Sequence, residues 1–375
     1  MRFLHPNELA LYSLLFAGAL ITMLLPQQLI MLPARLAVNM SGGVAAPKPF
    51  LVLRSAAWVI VVAGVITLVL GVPQLPNVGW NSWVTMSLSA VALVCVSPFQ
   101  DHVRASLHLV NFHGSAAVCS GVNLLICVLS VGAVLSSHAE SIDGAVPLAA
   151  LAAGNLISAA FGVGQLRRAE LRTFRLPRVT QRVWYLGSDG VIQLTWYVAT
   201  VLVLTSLGSG AVAHLEAARV AASPVFVVAS AFGTFLVPAA IRARGTRRYK
   251  RLRTVLAWAI GGAGILYSAA TFFASSALSS LTGRTISAGL ASARALAFTA
   301  EGLSNSISSF MYADGKAVRW VIQTACCCIL SLTATWLLMP LIGEAALPAG
   351  QLGGMALRFA LGNFSLRQAR GSGPS

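Results

Sequence analysis

Apolar residues run through this chain in long unbroken blocks, and the polar residues are swept into the gaps between them. Eleven blocks are recognisable, at about 10–33, 55–72, 80–98, 113–136, 145–165, 184–206, 220–241, 254–274, 286–312, 319–340 and 345–364. Each is close to the ~20 residues an α-helix needs to cross the hydrocarbon core of a bilayer. The blocks are continuous rather than alternating, which predicts helices and not the strands of a barrel. The expected fold is therefore all-α and polytopic, with about eleven transmembrane helices.

Composition agrees with lipid as the solvent. The 375 residues are 57% hydrophobic and 10% charged, and the mean hydropathy is +0.79. A soluble protein keeps roughly 25% charged residues for its surface, so this chain lacks the charge to cover a water-facing globule. Backbone polar groups in lipid must bond internally, which leaves helix bundles or closed barrels.

The formal net charge of +16 is concentrated between the blocks. Six arginines lie between Arg167 and Arg182 against one acid, Glu170. Seven basic residues lie between Arg242 and Arg253 with no acid. The alternate segments are nearly neutral (73–81) or acidic (137–144, with Glu140 and Asp143). Basic loops stay on the cytoplasmic side, so the N-terminus is expected outside and the C-terminus inside, with Arg367 and Arg370 in a cytoplasmic tail. The same loops are suited to anionic lipid. Orientation accounts for the positive charge, and nucleic acid is not an expected partner.

The two halves echo each other at a separation near 200. Gly162-Val163-Gly164-Gln165-Leu166-Arg167-Arg168-Ala169 parallels Gly362-Asn363-Phe364-Ser365-Leu366-Arg367-Gln368-Ala369. Leu53-Arg54-Ser55 parallels Leu252-Arg253-Thr254, and Asp101 with Arg104 parallels Asp314 with Lys316. The organisation this predicts is a five-helix lobe over 1–166, a basic linker over 167–183, a six-helix lobe over 184–366, and a tail over 367–375. The counterpart of block 184–206 would precede Met1, so the chain reads as a twelve-helix plan without its first helix. Repeated six-helix bundles are a known transporter plan.

Three segments resemble the multidrug/oligosaccharidyl-lipid/polysaccharide flippase superfamily, and within it the bacterial polysaccharide-export flippases. They are Ser97-Pro98-Phe99-Gln100-Asp101-His102-Val103-Arg104; Glu216-Ala217-Ala218-Arg219 through Pro224 and Phe232 to Pro238; and Leu341-Ile342-Gly343-Glu344 through Pro348 to Gly354. The resemblance implies two lobes around a central cavity that opens alternately to each face. It implies flipping of a polyprenyl-pyrophosphate-linked oligosaccharide across the bacterial plasma membrane. Glycan polymerase or glycosyltransferases are the candidate protein partners. Two alternatives belong beside it: a cation-coupled multidrug exporter of the same superfamily, and a non-transporting remnant or assembly partner. A membrane-embedded polymerase would need a large outer loop, whereas the expected outer loops (73–79, 137–144, 207–219, 275–285 and 341–344) are short.

Of ten acids, only Asp189 and Glu301 fall inside apolar blocks. Glu301 shares one helix face with Arg294, seven residues before it, and with Asn305 and Ser308 after it. An ionisable residue at mid-membrane costs a few kcal/mol on insertion scales, so this stripe is expected to face protein or a cavity. The competing expectation is a structural ion pair. Asp189 and Gln193 form a second polar face, with Arg182 as a candidate partner. Arg358 is a further intramembrane cation, near enough to the helix end to snorkel. A pyrophosphate must shed water to cross, and arginine suits bidentate phosphate contact, so Arg294 and Arg358 are the candidate headgroup cations. The six cysteines show neither metal nor disulfide spacing. His102, His108 and His113 do not share a helix face. No metal, cofactor or catalytic residue is expected, since no phosphate loop, nucleophile elbow or zinc signature is present.

Overall fold

The computed structural model describes residues 6–40, 45–72, 78–136, 144–176, 178–243, 246–282 and 286–368. Its regular elements in these residues are helices apart from one two-residue parallel pair. In chain order the helices are α1 (Pro6–Pro26), α2 (Leu32–Met40), α3 (Pro49–Gly71), α4 (Trp80–Leu109), α5 (His113–Ser136), α6 (Ala145–Leu166), α7 (Val179–Ala243), α8 (Arg247–Phe273), α9 (Ser275–Thr282), α10 (Ala288–Ala313), α11 (Ala317–Ile342) and α12 (Ala346–Gln368). Strand β1 (Ala46–Pro47) pairs in parallel with β2 (Leu171–Arg172). Nothing in the apolar pattern signals that pair. Among the described residues eight segments are helical, long and apolar enough to cross a membrane, and the protein is a multi-pass membrane protein. Two of them, Leu186–Phe226 and Ala317–Arg367, have 41 and 51 residues, more than one crossing requires. The helix α10 is not among the eight, because Arg294, Glu301, Asn305 and its serines lower its hydropathy.

The chain forms two compact units, Phe3–Tyr197 and Val198–Ser375, the second including Met1 and Arg2. In the first unit α3 packs on α1 and α4, and α4 and α5 pack on α6. In the second, α8 packs on α10, and α10 and α11 pack on α12.

Local chemistry explains the irregular places. Between α1 and α2 the chain takes one π-helical segment, Gln27–Met31. It lies between Pro26 and Pro33, neither of which has an N–H to give to the preceding turn. The side chain of Arg182 donates to the Leu29 carbonyl at 3.1 Å, so a partly buried acceptor in this segment is satisfied. Within α7, Gly208 has φ 84° and ψ 179°, a conformation essentially confined to glycine. Helix resumes immediately after it, so the outer loop expected at 207–219 is helical apart from this kink. Hydropathy marks polarity and cannot distinguish a polar helix from a loop. Likewise the expected loop at 275–285 contains α9.

The two halves share backbone detail. Asn111 and Gly315 are 204 residues apart and both adopt positive φ, 63° and 73°. Phe112 N donates to Leu107 O at 2.8 Å, and Lys316 N to Met311 O at 2.9 Å. Asn111 N donates to His108 O, and Gly315 N to Tyr312 O. These are the same left-handed C-cap, once after α4 and once after α10. Glycines relate α6 to α12 at a separation of 200. A Cβ on Gly154 would sit 3.1 Å from the carbonyl oxygen of Asn123, and one on Gly354 would sit 2.9 Å from that of Cys327. A Cβ on Gly162 would collide with Val103, and one on Gly362 with Ile307. The register is thus 204 for α4 and α5 against α10 and α11, and 200 for α6 against α12. It corrects the pairing of Asp101 with Asp314: the counterpart of Asp101 is Asn305, and that of Arg104 is Ser308.

Candidate functional site

The second unit buries a polar network where α10, α11 and α12 meet. Ser287 caps α10 by accepting a hydrogen bond from Leu290 N at 3.1 Å, which fixes the start of the helix that carries most of the network. Arg294 and Glu301 lie two turns apart on α10, and Gln351 of α12 reaches between them. Arg294 Nη1 donates to Gln351 Oε1 at 2.6 Å, and Gln351 Nε2 donates to Glu301 Oε2 at 2.9 Å. The amide therefore has a defined orientation, its oxygen toward the cation and its nitrogen toward the carboxylate. The guanidinium of Arg294 also lies 4.9 Å from the centre of the Phe298 ring. Gln351 is fully buried, Glu301 is 2% exposed and Arg294 is 8% exposed, so Arg294 is the member at the edge of the network.

Arg358 of α12 is 0% exposed. Its Nε donates to Thr324 Oγ1 at 2.9 Å. Its Nη1 donates to Ser304 Oγ at 2.7 Å and Asn305 Oδ1 at 2.9 Å, and its Nη2 donates to Ser308 Oγ at 3.2 Å. The guanidinium lies 4.3 Å from the centre of the Trp320 ring, and Trp320 Nε1 donates to the same Ser308 Oγ at 2.9 Å. Arg358 does not snorkel: the neutral oxygens of α10 and α11 solvate it inside the protein. A buried charge is tolerated only with such compensation. Ser304 joins the two parts of the network, because its hydroxyl also donates to the Glu301 backbone carbonyl at 3.0 Å.

Four of the six sequence candidates, Arg294, Glu301, Asn305 and Arg358, thus come together in one unit. Asp189 and Gln193 lie in the other unit. Gln28 Nε2 donates to Asp189 Oδ2 at 3.0 Å, and Ser188 Oγ donates to Asp189 Oδ1 at 3.3 Å. The neighbouring Gln27 donates to Asp101 Oδ2 at 3.0 Å, and Arg104 to Asp101 Oδ1 at 2.8 Å. The π-helical turn thereby places adjacent glutamines on carboxylates of two different helices. Gln193 is half-buried, one turn beyond Asp189. Sequence reasoning missed Gln351, Ser304, Thr324 and Trp320. The one available signal was an amide inside the last apolar block.

Glu216 and Arg219 form a local ion pair within α7, and Glu216 is only 6% exposed. Of the histidines, His102 is buried, while the half-buried His108 and the exposed His113 bring their Nδ1 atoms to 3.1 Å. Among the described residues no three His, Cys, Asp or Glu side chains are grouped as a metal site. Cys119, Cys327 and Cys328 are buried, and Cys326 is exposed.

No protein-family model matches the chain, and no curated protein matches it in sequence. Solved structures do match. The chain is similar to an outward-facing multidrug-resistance MATE family transporter of the MOP superfamily, with a TM-score of 0.66 and 13% identity over 98% of this chain and 90% of that one. It is similar to an inward-facing MATE transporter of the same superfamily, with a TM-score of 0.62 and 15% identity over 99% of this chain and 93% of that one. A point mutant of the Vibrio cholerae MATE transporter VcmN matches with a TM-score of 0.61 and 16% identity, over 98% and 87% of the two chains. The protein has the fold of MATE transporters of the MOP superfamily. At these identities the likeness concerns the fold.

Proposed function

We propose that this protein flips a polyprenyl-pyrophosphate-linked oligosaccharide across a bacterial plasma membrane for polysaccharide export, by alternating access. The observation that carries the reading is the pair of buried arginines, Arg294 and Arg358, on neighbouring helices of a MOP-type transporter fold. Cations buried inside a membrane-spanning bundle are rare and mark substrate or ion paths. A pyrophosphate headgroup is the part of such a substrate that most needs cations in place of water. Arg294, Glu301 and Asn305 are the proposed contacts. Arg358 sets the positions of Asn305 and Ser304, and Asp189 with Gln193 are secondary candidates in the other unit. The orientation belonging to this reading is N-terminus outside and C-terminus cytoplasmic, with anionic lipid at the basic loops and glycan polymerase or glycosyltransferases as partners.

The test is accumulation of lipid-linked oligosaccharide in a strain deleted for the gene. Accumulation is expected, with relief by the wild-type protein and no relief by Glu301→Gln or Arg294→Ala at equal membrane abundance. Normal glycan export in the deletion strain overturns the reading. A second reading, a cation-coupled multidrug exporter, is favoured by the MATE identity of the matching structures and by the buried carboxylate Glu301. It predicts that the deletion raises drug sensitivity and leaves the glycan untouched.

A further inference from the structure

The register between the halves permits a residue-by-residue comparison of one helix crossing in its two copies. In the second unit α10 meets α12 through Glu301, Ser304, Gln351 and Arg358. Their counterparts in the first unit are Ser97, Gln100, Leu151 and Ser158. One contact is kept with its chemistry exchanged: Arg358 Nη1 donates to Ser304 Oγ at 2.7 Å, and Gln100 Nε2 donates to Ser158 Oγ at 3.2 Å. In the second unit the long side chain comes from α12; in the first it comes from α4. The first unit completes its crossing with neutral groups. Asn155 Nδ2 donates to Ser97 Oγ at 2.6 Å, and Asn123 Nδ2 donates to Asn155 Oδ1 at 2.7 Å.

The Arg294–Gln351–Glu301 chain has no trace there. Arg294 corresponds to Ala90, Gln351 to Leu151 and Glu301 to Ser97, so all three members are missing together. The same crossing is therefore built without formal charge, and with small or apolar residues at these three positions. Burying a cation and a carboxylate carries a desolvation penalty that packing alone does not require. A chain of three that is wholly present in one copy and wholly absent from the other is a unit added to the crossing.

We infer that Arg294, Gln351 and Glu301 are a headgroup-recognition unit confined to the second half of the protein, with Gln351 as its positioning residue. The inference rests on the flippase reading and names the residue that sets its selectivity. Gln351 accepts from Arg294 and donates to Glu301, which holds the guanidinium fork in one orientation at the edge of the buried network. A guanidinium held in one orientation can donate to oxygens on both phosphorus atoms of a diphosphate, a pair of contacts that a monophosphate cannot offer.

The experiment uses the full chain in detergent micelles and three probes: polyprenyl pyrophosphate, polyprenyl monophosphate and inorganic pyrophosphate. Wild type is expected to bind the diphosphate lipid more tightly than the monophosphate lipid, and free pyrophosphate weakly. Gln351→Leu, the residue of the first unit, is expected to weaken diphosphate binding at least tenfold and to bring the two lipids close to equal affinity. A merely structural role would weaken both alike. The triple change Arg294→Ala, Gln351→Leu and Glu301→Ser is expected to keep the elution profile and unfolding temperature of wild type while losing selective binding. Unchanged selectivity in Gln351→Leu, or a triple variant that does not fold, overturns the inference and leaves the flippase reading standing. A wild type that binds none of the three probes removes the flippase reading and the inference together.

Discussion

Adjacent glycines in α12 offer a controlled test of the packing. A Cβ on Gly353 would meet nothing within 4 Å. One on Gly354 would lie 2.6 Å from Ser331 Cβ and 2.9 Å from the Cys327 carbonyl oxygen. Both positions are interior to the same helix, so Gly→Ala relieves the same propensity deficit, about 0.8–1 kcal/mol. The difference between the two variants is therefore the overpacking term, about 1–3 kcal/mol. The upper part of that range is expected, because the Cys327 oxygen is backbone and cannot swing aside. At roughly 2–4 °C per kcal/mol for a unit of this size, Gly354→Ala should unfold several degrees below Gly353→Ala. The assay follows from the contact itself. Cys327 and Cys328 are buried, at 0% and 2% exposure, on the helix that must give way. A maleimide dye that fluoresces on reaction with thiols, applied during heating in a background with Cys95, Cys119, Cys127 and Cys326 replaced by alanine, reports when α11 and α12 part. Equal unfolding temperatures for the two variants would refute the close approach.

Arg358→Lys replaces a planar fork by a single ammonium and should lower the unfolding temperature by several degrees, while Arg358→Ser, the residue of the first unit, keeps the protein folded. Gly208→Ala forces a side chain into a glycine conformation and should cost about 1–3 kcal/mol, read in the same thermal assay against Gly210→Ala, which has open space around it. Asn155→Leu breaks the Ser97–Asn155–Asn123 chain and strands buried partners, for about 1–3 kcal/mol, visible as earlier exposure of Cys119. Cysteines placed at Arg175 and at Lys250, in a background lacking the six native cysteines, should react with membrane-impermeant maleimide only after the cytoplasmic face is opened.

Much of this architecture is readable in the apolar pattern, because a helix in lipid must be long and uninterrupted. The stripe Arg294, Glu301, Asn305 and Ser308 was legible for the same reason: helical periodicity relates residues within one helix. What joins the stripe was not legible. Gln351 belongs to another helix, and no periodicity within α10 points to it. The burial of Arg358 was misjudged because distance from a helix end permits snorkelling, whereas the oxygens of Thr324, Ser304, Asn305 and Ser308 are a property of neighbours. The kink at Gly208 and the π-helical turn between Pro26 and Pro33 are backbone events that hydropathy averages over. The echo between the halves was visible as an offset near 200, but the helix caps and glycine contacts were needed to resolve it into 204 and 200.

We propose transport of a lipid-linked glycan through a site containing Arg294 and Glu301. The most direct measurement reconstitutes the purified protein in sealed vesicles. A fluorescent polyprenyl-pyrophosphate oligosaccharide is then placed in both leaflets, and its arrival in the outer leaflet is followed by quenching. Wild type should move it well above protein-free vesicles, and Glu301→Gln and Arg294→Ala should fall to the protein-free rate. A wild-type rate equal to that of protein-free vesicles, or variants as fast as wild type, would contradict the account.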